Sequence, residues 1–244
     1  AYLRTNPQPL KIDDRNFLAE SSKRYIGNET VDANNRAIGF TKQDLRRLDL
    51  TGMIKTKENV IFLTFDDWGT DASINKILYV LRKHKVSGTF FVLTNNVLNN
   101  PNLLRTIALE GHEIASHTDK HKPMAVRDVK TGKQYRTQDK EEYNQDLATS
   151  YEKLRNVVGD VNLNGKDALT RLFRPPTLAI SKMGFETLFE TGFEYIVNGS
   201  GSTADYKVGS VTELLGGIKE GVYTDEGGVK KGAVIVMHQG DNSQ

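Results

Sequence analysis

Cysteine is absent from this chain of 244 residues, which removes disulfides, thiolate metal ligands and a thiol nucleophile together. No run of about 18 apolar residues occurs, so no segment reads as a membrane-spanning helix, and no signal peptide is visible at the start. An excess of one charge is missing too. The 33 basic and 31 acidic residues are interspersed and leave a net charge of +2, with no sustained basic tract to suit nucleic acid. Histidine occurs five times and tryptophan once, so each of these residues carries information. What remains is a globular composition, 37% hydrophobic and 26% charged, in a chain long enough for one α/β domain with a sizeable core.

Residues 1–56 are polar, with scattered apolar residues such as Phe17, Tyr25, Ile38 and Phe40. They read as an irregular N-terminal extension packed on the main domain, which spans 57–244. From Lys57 onward the pattern is regular. Strand-like runs at Val60 to Phe65, Thr89 to Leu93, Glu113 to Ala115, Leu172 to Arg174, Tyr195 to Val197 and Ala233 to Met237 alternate with helical segments. Ile74, Ile77, Leu78 and Leu81 recur at one-face spacing behind Thr70 and Asp71, either of which can cap a helix. Further helices are expected over Asn102 to Glu110, Lys140 to Val158 and Ser181 to Thr191, the first and last stopped by Gly111 and Gly192. Alternation of this kind predicts an α/β fold with a parallel sheet, open or closed into a barrel, whose catalytic residues come from the C-terminal ends of strands.

Asp66 and Asp67 stand side by side at the end of the run Val60 to Phe65. Two adjacent carboxylates at a buried strand end repel strongly unless a cation or metal offsets them. His117 and His121 supply the complement. On one turn of helix their spacing puts both imidazoles on the same face, and a histidine pair with one carboxylate is a three-ligand set of the catalytic zinc kind. The second carboxylate then sits beside the activated water, placed to take its proton. His238, ending Ala233 to His238, is placed to act as the acid for a leaving group. Arg174, before Pro175 and Pro176, is the best partner to orient the base aspartate, and the two prolines stiffen a loop able to present a backbone N–H. His112 reads as structural.

The order Thr64-Phe65-Asp66-Asp67, Ser116-His117-Thr118-Asp119-Lys120-His121, Arg174-Pro175-Pro176, Asp205-Tyr206 and Val236-Met237-His238 resembles the five motifs of the polysaccharide deacetylases, carbohydrate esterase family 4 or the NodB-homology domain. The likeness covers about residues 57–244. It implies a distorted (β/α) barrel of about seven parallel strands and a metal-dependent hydrolase that removes N-acetyl groups from a GlcNAc-containing polysaccharide. Peptidoglycan is the first expectation, with chitin-type or poly-GlcNAc polymers next. By position, Asp66 resembles the general base, and Asp67, His117 and His121 the metal triad. Arg174 resembles the residue orienting the base, His238 the general acid and Asp205 the acidic residue tuning it. Tyr206 and Met237 would line the acetyl methyl pocket, and Trp68, Pro175 and Pro176 the substrate site. Zinc is the expected metal, with cobalt, nickel, manganese and iron able to use the same donors. An extracellular or cell-surface location follows from such a substrate.

Trp68-Gly69-Thr70 follows the aspartate pair where many relatives have Gly-Pro, Thr177 and Leu178 replace a common tyrosine and glycine, and Tyr206 stands where tryptophan is usual. The chain ends at Gln244, where relatives run on into a closing helix, and is read as lacking it. Two other readings are open: a carbohydrate-binding relative without turnover, and a hydrolase of small amides, imides or O-acetyl groups on the same barrel.

Overall fold

The apolar run ending in Asp66 and Asp67 forms the strand β1, Ile61–Asp67, near the middle of a seven-stranded sheet. Its neighbours are β2 (Thr89–Val92), β3 (Glu113–Ser116), β4 (Leu169–Phe173), β5 (Tyr195–Ile196), β6 (Gly201–Ser202) and β7 (Ala233–His238). Every pairing is parallel, and the order is β5-β4-β3-β2-β1-β7-β6. Among the described residues no pairing joins β5 to β6, so the (β/α) barrel is distorted and incompletely closed. This computed structural model describes residues 25–26, 52–123, 125–127, 134–178 and 180–240. Most of the expected N-terminal extension therefore lies outside the described residues, as do residues 241–244.

Among the described residues five α-helices cross between the strands: α1 (Asp71–His84), α2 (Pro101–Leu109), α3 (Lys140–Val158), α4 (Lys182–Glu190) and α5 (Val211–Val222). Thr70 caps α1, its Oγ1 accepting from the Ser73 N–H at 3.1 Å. Asp139 and Glu142 close a capping box on α3. Ile74, Ile77, Leu78 and Leu81 all turn inward from α1 to join Phe65, Phe90 and Ile114 of the sheet in the main core. Fully burying side chains of this size stabilises by about 1.5–3 kcal/mol each.

Within the main sheet and its described helices, two elements went unread in the sequence, the edge strand β6 and helix α5. Gly216, Gly217 and Gly221 lower the helix propensity of α5, and β6 is only a glycine and a serine. Packing explains Gly201 and Gly221: a Cβ on Gly201 would stand 2.7 Å from the Gly221 Cα, so strand and helix meet backbone to backbone, whereas a Cβ on Gly216 would meet open space.

His112 is structural, as its place beside Gly111 suggested. It is buried, its Nδ1 accepts the Gly88 N–H at 3.2 Å, and burial lowers its pKa to about 4, with Glu110 opposing and Arg82 assisting. Protonation would turn that acceptor into a donor facing another donor. An unfolded histidine titrates near 6.5, so the unfolded chain takes up this proton first as pH falls. Stability is thus expected to fall by up to about 3 kcal/mol between pH 6.5 and 4. Urea unfolding of wild type and His112→Asn across that range measures it, and equal pH slopes for the two proteins would refute it.

Candidate active site

The C-terminal ends of four strands bring the rare residues together. Asp66 and Asp67 end β1, His117 follows β3, Arg174 follows β4 and His238 ends β7. Parallel register sets Asp66 beside His238 and Asp67 beside Val92. Asp66, Asp67, His117, His121 and His238 line one cleft of about 740 Å³.

The histidine pair does not sit on a helix, contrary to the expectation from its spacing. Residues 117–121 form a loop in which Thr118 and His121 have φ of 73° and 56°, incompatible with a right-handed helix. Short-range bonds and a neighbouring helix hold that loop. The Thr118 Oγ1 accepts the His121 N–H at 3.0 Å, and Asp146 of α3 accepts the Asp119 N–H at 2.6 Å. Asp119 in turn takes a 2.7 Å ion pair from Lys153 and a 2.6 Å bond from the Thr94 hydroxyl. These supports join residues remote in sequence, and no local signal marked Asp146 or Lys153.

Asp67 Oδ1 lies 3.6 Å from the Nε2 of His117 and 3.6 Å from that of His121, and the three donor atoms fall within 4.8 Å of one another. Zn–N bonds of about 2.0–2.1 Å in a tetrahedral site set donors roughly 3.3–3.5 Å apart, so the triad fits a small divalent cation. Asp67 Oδ1 is also shielded from solvent without a hydrogen-bond partner, an expensive arrangement that a cation would relieve. The His117 Nδ1 lies 2.7 Å from the Arg174 carbonyl oxygen, to which it donates when neutral, leaving Nε2 free as a ligand. Burial, opposed chiefly by Asp66 and Asp67, pushes the His117 pKa down and favours this neutral form. Asp67 itself has φ 75°, a left-handed conformation that costs a residue other than glycine about 1–3 kcal/mol.

Arg174 is fully buried and reaches under the strand ends to Asp66, Nη1 to Oδ1, at 2.6 Å. It also donates to Thr64 Oγ1 at 2.7 Å and to the carbonyls of Val197 and Asn198, and it stacks on Phe91 at 4.2 Å. His238 is held in the same manner by Asp205, which lies 2.6 Å from its Nδ1 and accepts its backbone N–H at 2.7 Å. Burial opposes charge on His238, but the Asp205 hydrogen bond and the charges of Asp205, Asp66 and Asp67 together raise its pKa.

Trp68, Pro175 and Tyr206 line the cleft, with the Tyr206 ring 5.2 Å from that of His238. Pro176 is buried outside the lining, and Met237 does not reach the cleft. Strand alternation explains the latter. Val236 and His238 share one face of β7, while Met237, in register with Phe65, turns to the helix layer and packs in the core. Val236, Thr177, Leu178 and Gln239 complete the wall. Thr177 and Leu178 have φ of 60° and 58°, so the loop beside the prolines is conformationally strained.

This fold and site define a (β/α) barrel protein with a cluster of three potential metal-donor atoms at its strand ends. The chain belongs to the polysaccharide deacetylase family, whose model matches residues 53–196. It is 25% identical over 202 residues to the peptidoglycan N-acetylglucosamine deacetylase of Bacillus cereus, covering 80% of this chain and 79% of that one. Over 105 residues it is 32% identical to the peptidoglycan N-acetylmuramic acid deacetylase of Bacillus subtilis, covering 43% of this chain but only 38% of the relative's length. In structure it superimposes with a TM-score of 0.61 on a pseudoenzyme of carbohydrate esterase family 4 from Bacillus anthracis. That pair is 20% identical, and the match spans 77% of this chain and 57% of the other, a likeness of fold.

Proposed function

We propose that this chain is a metal-dependent deacetylase that releases acetate from the N-acetyl groups of a GlcNAc-containing polysaccharide, peptidoglycan first and chitin-type polymers next. The observation carrying the reading is the convergence in one cleft of the Asp67-His117-His121 triad with an arginine-held carboxylate and an aspartate-held histidine. Two relatives named as peptidoglycan deacetylases support the choice of polymer. The unit responsible is residues 57–244, and a cell-wall substrate places it outside the cell.

Asp67, His117 and His121 would hold the metal, zinc by preference, with cobalt, nickel, manganese or iron compatible with the same donors. A divalent cation held there would supply Lewis-acid polarisation of the acetyl carbonyl and lower the pKa of a water. Asp66 takes the proton from the attacking water, its orientation fixed by Arg174. Pro175 and Pro176 carry no N–H, so the first backbone donor this loop offers toward a developing oxyanion is that of Thr177. As the C–N bond breaks, His238 protonates the departing amine. Its raised pKa keeps it protonated to higher pH than a free imidazole, as an acid requires. Trp68 offers a flat apolar face for a sugar ring.

Metal-loaded protein incubated with acetylated chito-oligosaccharides and with peptidoglycan is expected to release acetate, and His117→Ala to release at least about a hundredfold less. Absence of acetate from every substrate with metal bound would replace this reading by a carbohydrate-binding one. Undiminished release by the variant would remove the triad from the mechanism.

A further inference from the structure

The residue after the proposed acid is a glutamine that touches none of the donor atoms yet is fully buried against the turn that presents them. Gln239 donates from its side-chain Nε2 to the Asp67 carbonyl oxygen at 2.7 Å. The same oxygen accepts the Leu93 N–H from beyond β2 at 3.1 Å, so the Asp67 carbonyl is clamped from both flanking strands. A residue at φ 75° persists only when its surroundings over-determine it, and this clamp is what does so.

The backbone of Gln239 continues the lock. Its N–H donates to the Asp66 carbonyl at 3.0 Å, and its own carbonyl accepts the Ser73 hydroxyl at 2.8 Å from the first turn of α1. That carbonyl leaves no room for a side chain on Gly69, whose Cβ would stand 1.7 Å from it. Gln239 therefore joins the end of β7 to the β1–α1 turn on both sides of the two aspartates. Its amide is the one bond of this junction made by the Gln239 side chain, and so the one that a substitution at Gln239 removes without touching the backbone bonds.

We propose that Gln239 is a positioning residue for the metal site: its amide holds the left-handed backbone of Asp67, so that Oδ1 faces His117 and His121 before a cation arrives. This rests on the metal reading above and adds to it a residue that acts through main chain alone. Without the amide bond, Asp67 can relax toward ordinary φ, and the carboxylate turns away from the imidazoles.

The test is a metal titration of the whole chain with zinc or cobalt, followed through the fluorescence of Trp68, the only tryptophan, which adjoins Asp67. Gln239→Met keeps the length and bulk but cannot donate, and its metal Kd is expected to rise about tenfold or more. Ser73→Ala removes a bond to the Gln239 backbone but leaves the amide in place, and its Kd should stay within about twofold of wild type. Should the methionine variant fail to fold, Gln239→Asn, polar but too short to reach, takes its place. A wild-type Kd shared by the folded Gln239 variant would overturn the inference alone. Failure of wild type to bind either metal would instead overturn the metal reading beneath it.

Discussion

Asp66→Asn is expected to lower acetate release by about 10²–10⁴-fold, the usual contribution of a positioned general base. Asparagine matches aspartate in shape and can still accept the Arg174 Nη1–H that reaches Asp66 Oδ1 at 2.6 Å. What it cannot do is take a proton from water. Because the donor atoms belong to Asp67, His117 and His121, metal uptake by this variant should remain close to wild type. Asp67→Asn is the contrasting substitution. It weakens one donor and should lower metal affinity as well as activity. Acetate assays paired with metal content separate the two aspartates, and an Asp66→Asn enzyme within tenfold of wild type at full metal occupancy would remove Asp66 from the role of base.

The carboxylate pair stood out in the sequence because a continuous apolar run ending in two acids has few other uses, whereas the separate roles proposed for Asp66 and Asp67 come from the family resemblance alone. Strands β2 and β7 were legible likewise, since their Val, Ile and Phe runs need burial on both faces. The histidine spacing pointed, by a mistaken route, to a pair that the fold does bring together beside Asp67. Four residues bring two side chains together on a helix, but here a loop with two left-handed residues, tied down by Asp146 and Asp119, achieves it. Met237 was placed in the acetyl pocket by the family resemblance, and strand alternation turns it away from the cleft. Gln239 and Asp146 were unreadable for a different reason. Each matters through backbone groups 172 and 27 positions away in the chain, and no local pattern encodes such a contact. Helix α5 and strand β6 were missed because their glycines weaken local propensity, and only Gly201 and Gly221 are accounted for by close backbone approach.

Arg174→Met is expected to destabilise the fold by about 3–5 kcal/mol, the range for removing one partner of a buried ion pair. Arg174 has no exposed side-chain surface and Asp66 almost none, so water cannot take over the guanidinium's role. Methionine fills much of the same volume, and cavity formation therefore adds little. The dominant loss is the orphaned Asp66 carboxylate, accompanied by Thr64 Oγ1 and the carbonyls of Val197 and Asn198, which lose a shared donor. Lysine would not rescue it. A single ammonium cannot reproduce the planar fork that meets these acceptors while stacking on Phe91. The double variant Arg174→Met with Asp66→Asn isolates the cause. If the orphaned charge dominates, neutralising it should restore a large part of the lost stability, giving a coupling energy of about 1–3 kcal/mol between the two sites. Urea unfolding of the wild type, both single variants and the double variant completes the cycle. A single-variant loss below about 1 kcal/mol would mean that this pair behaves like a surface ion pair, with Asp66 hydrated in solution.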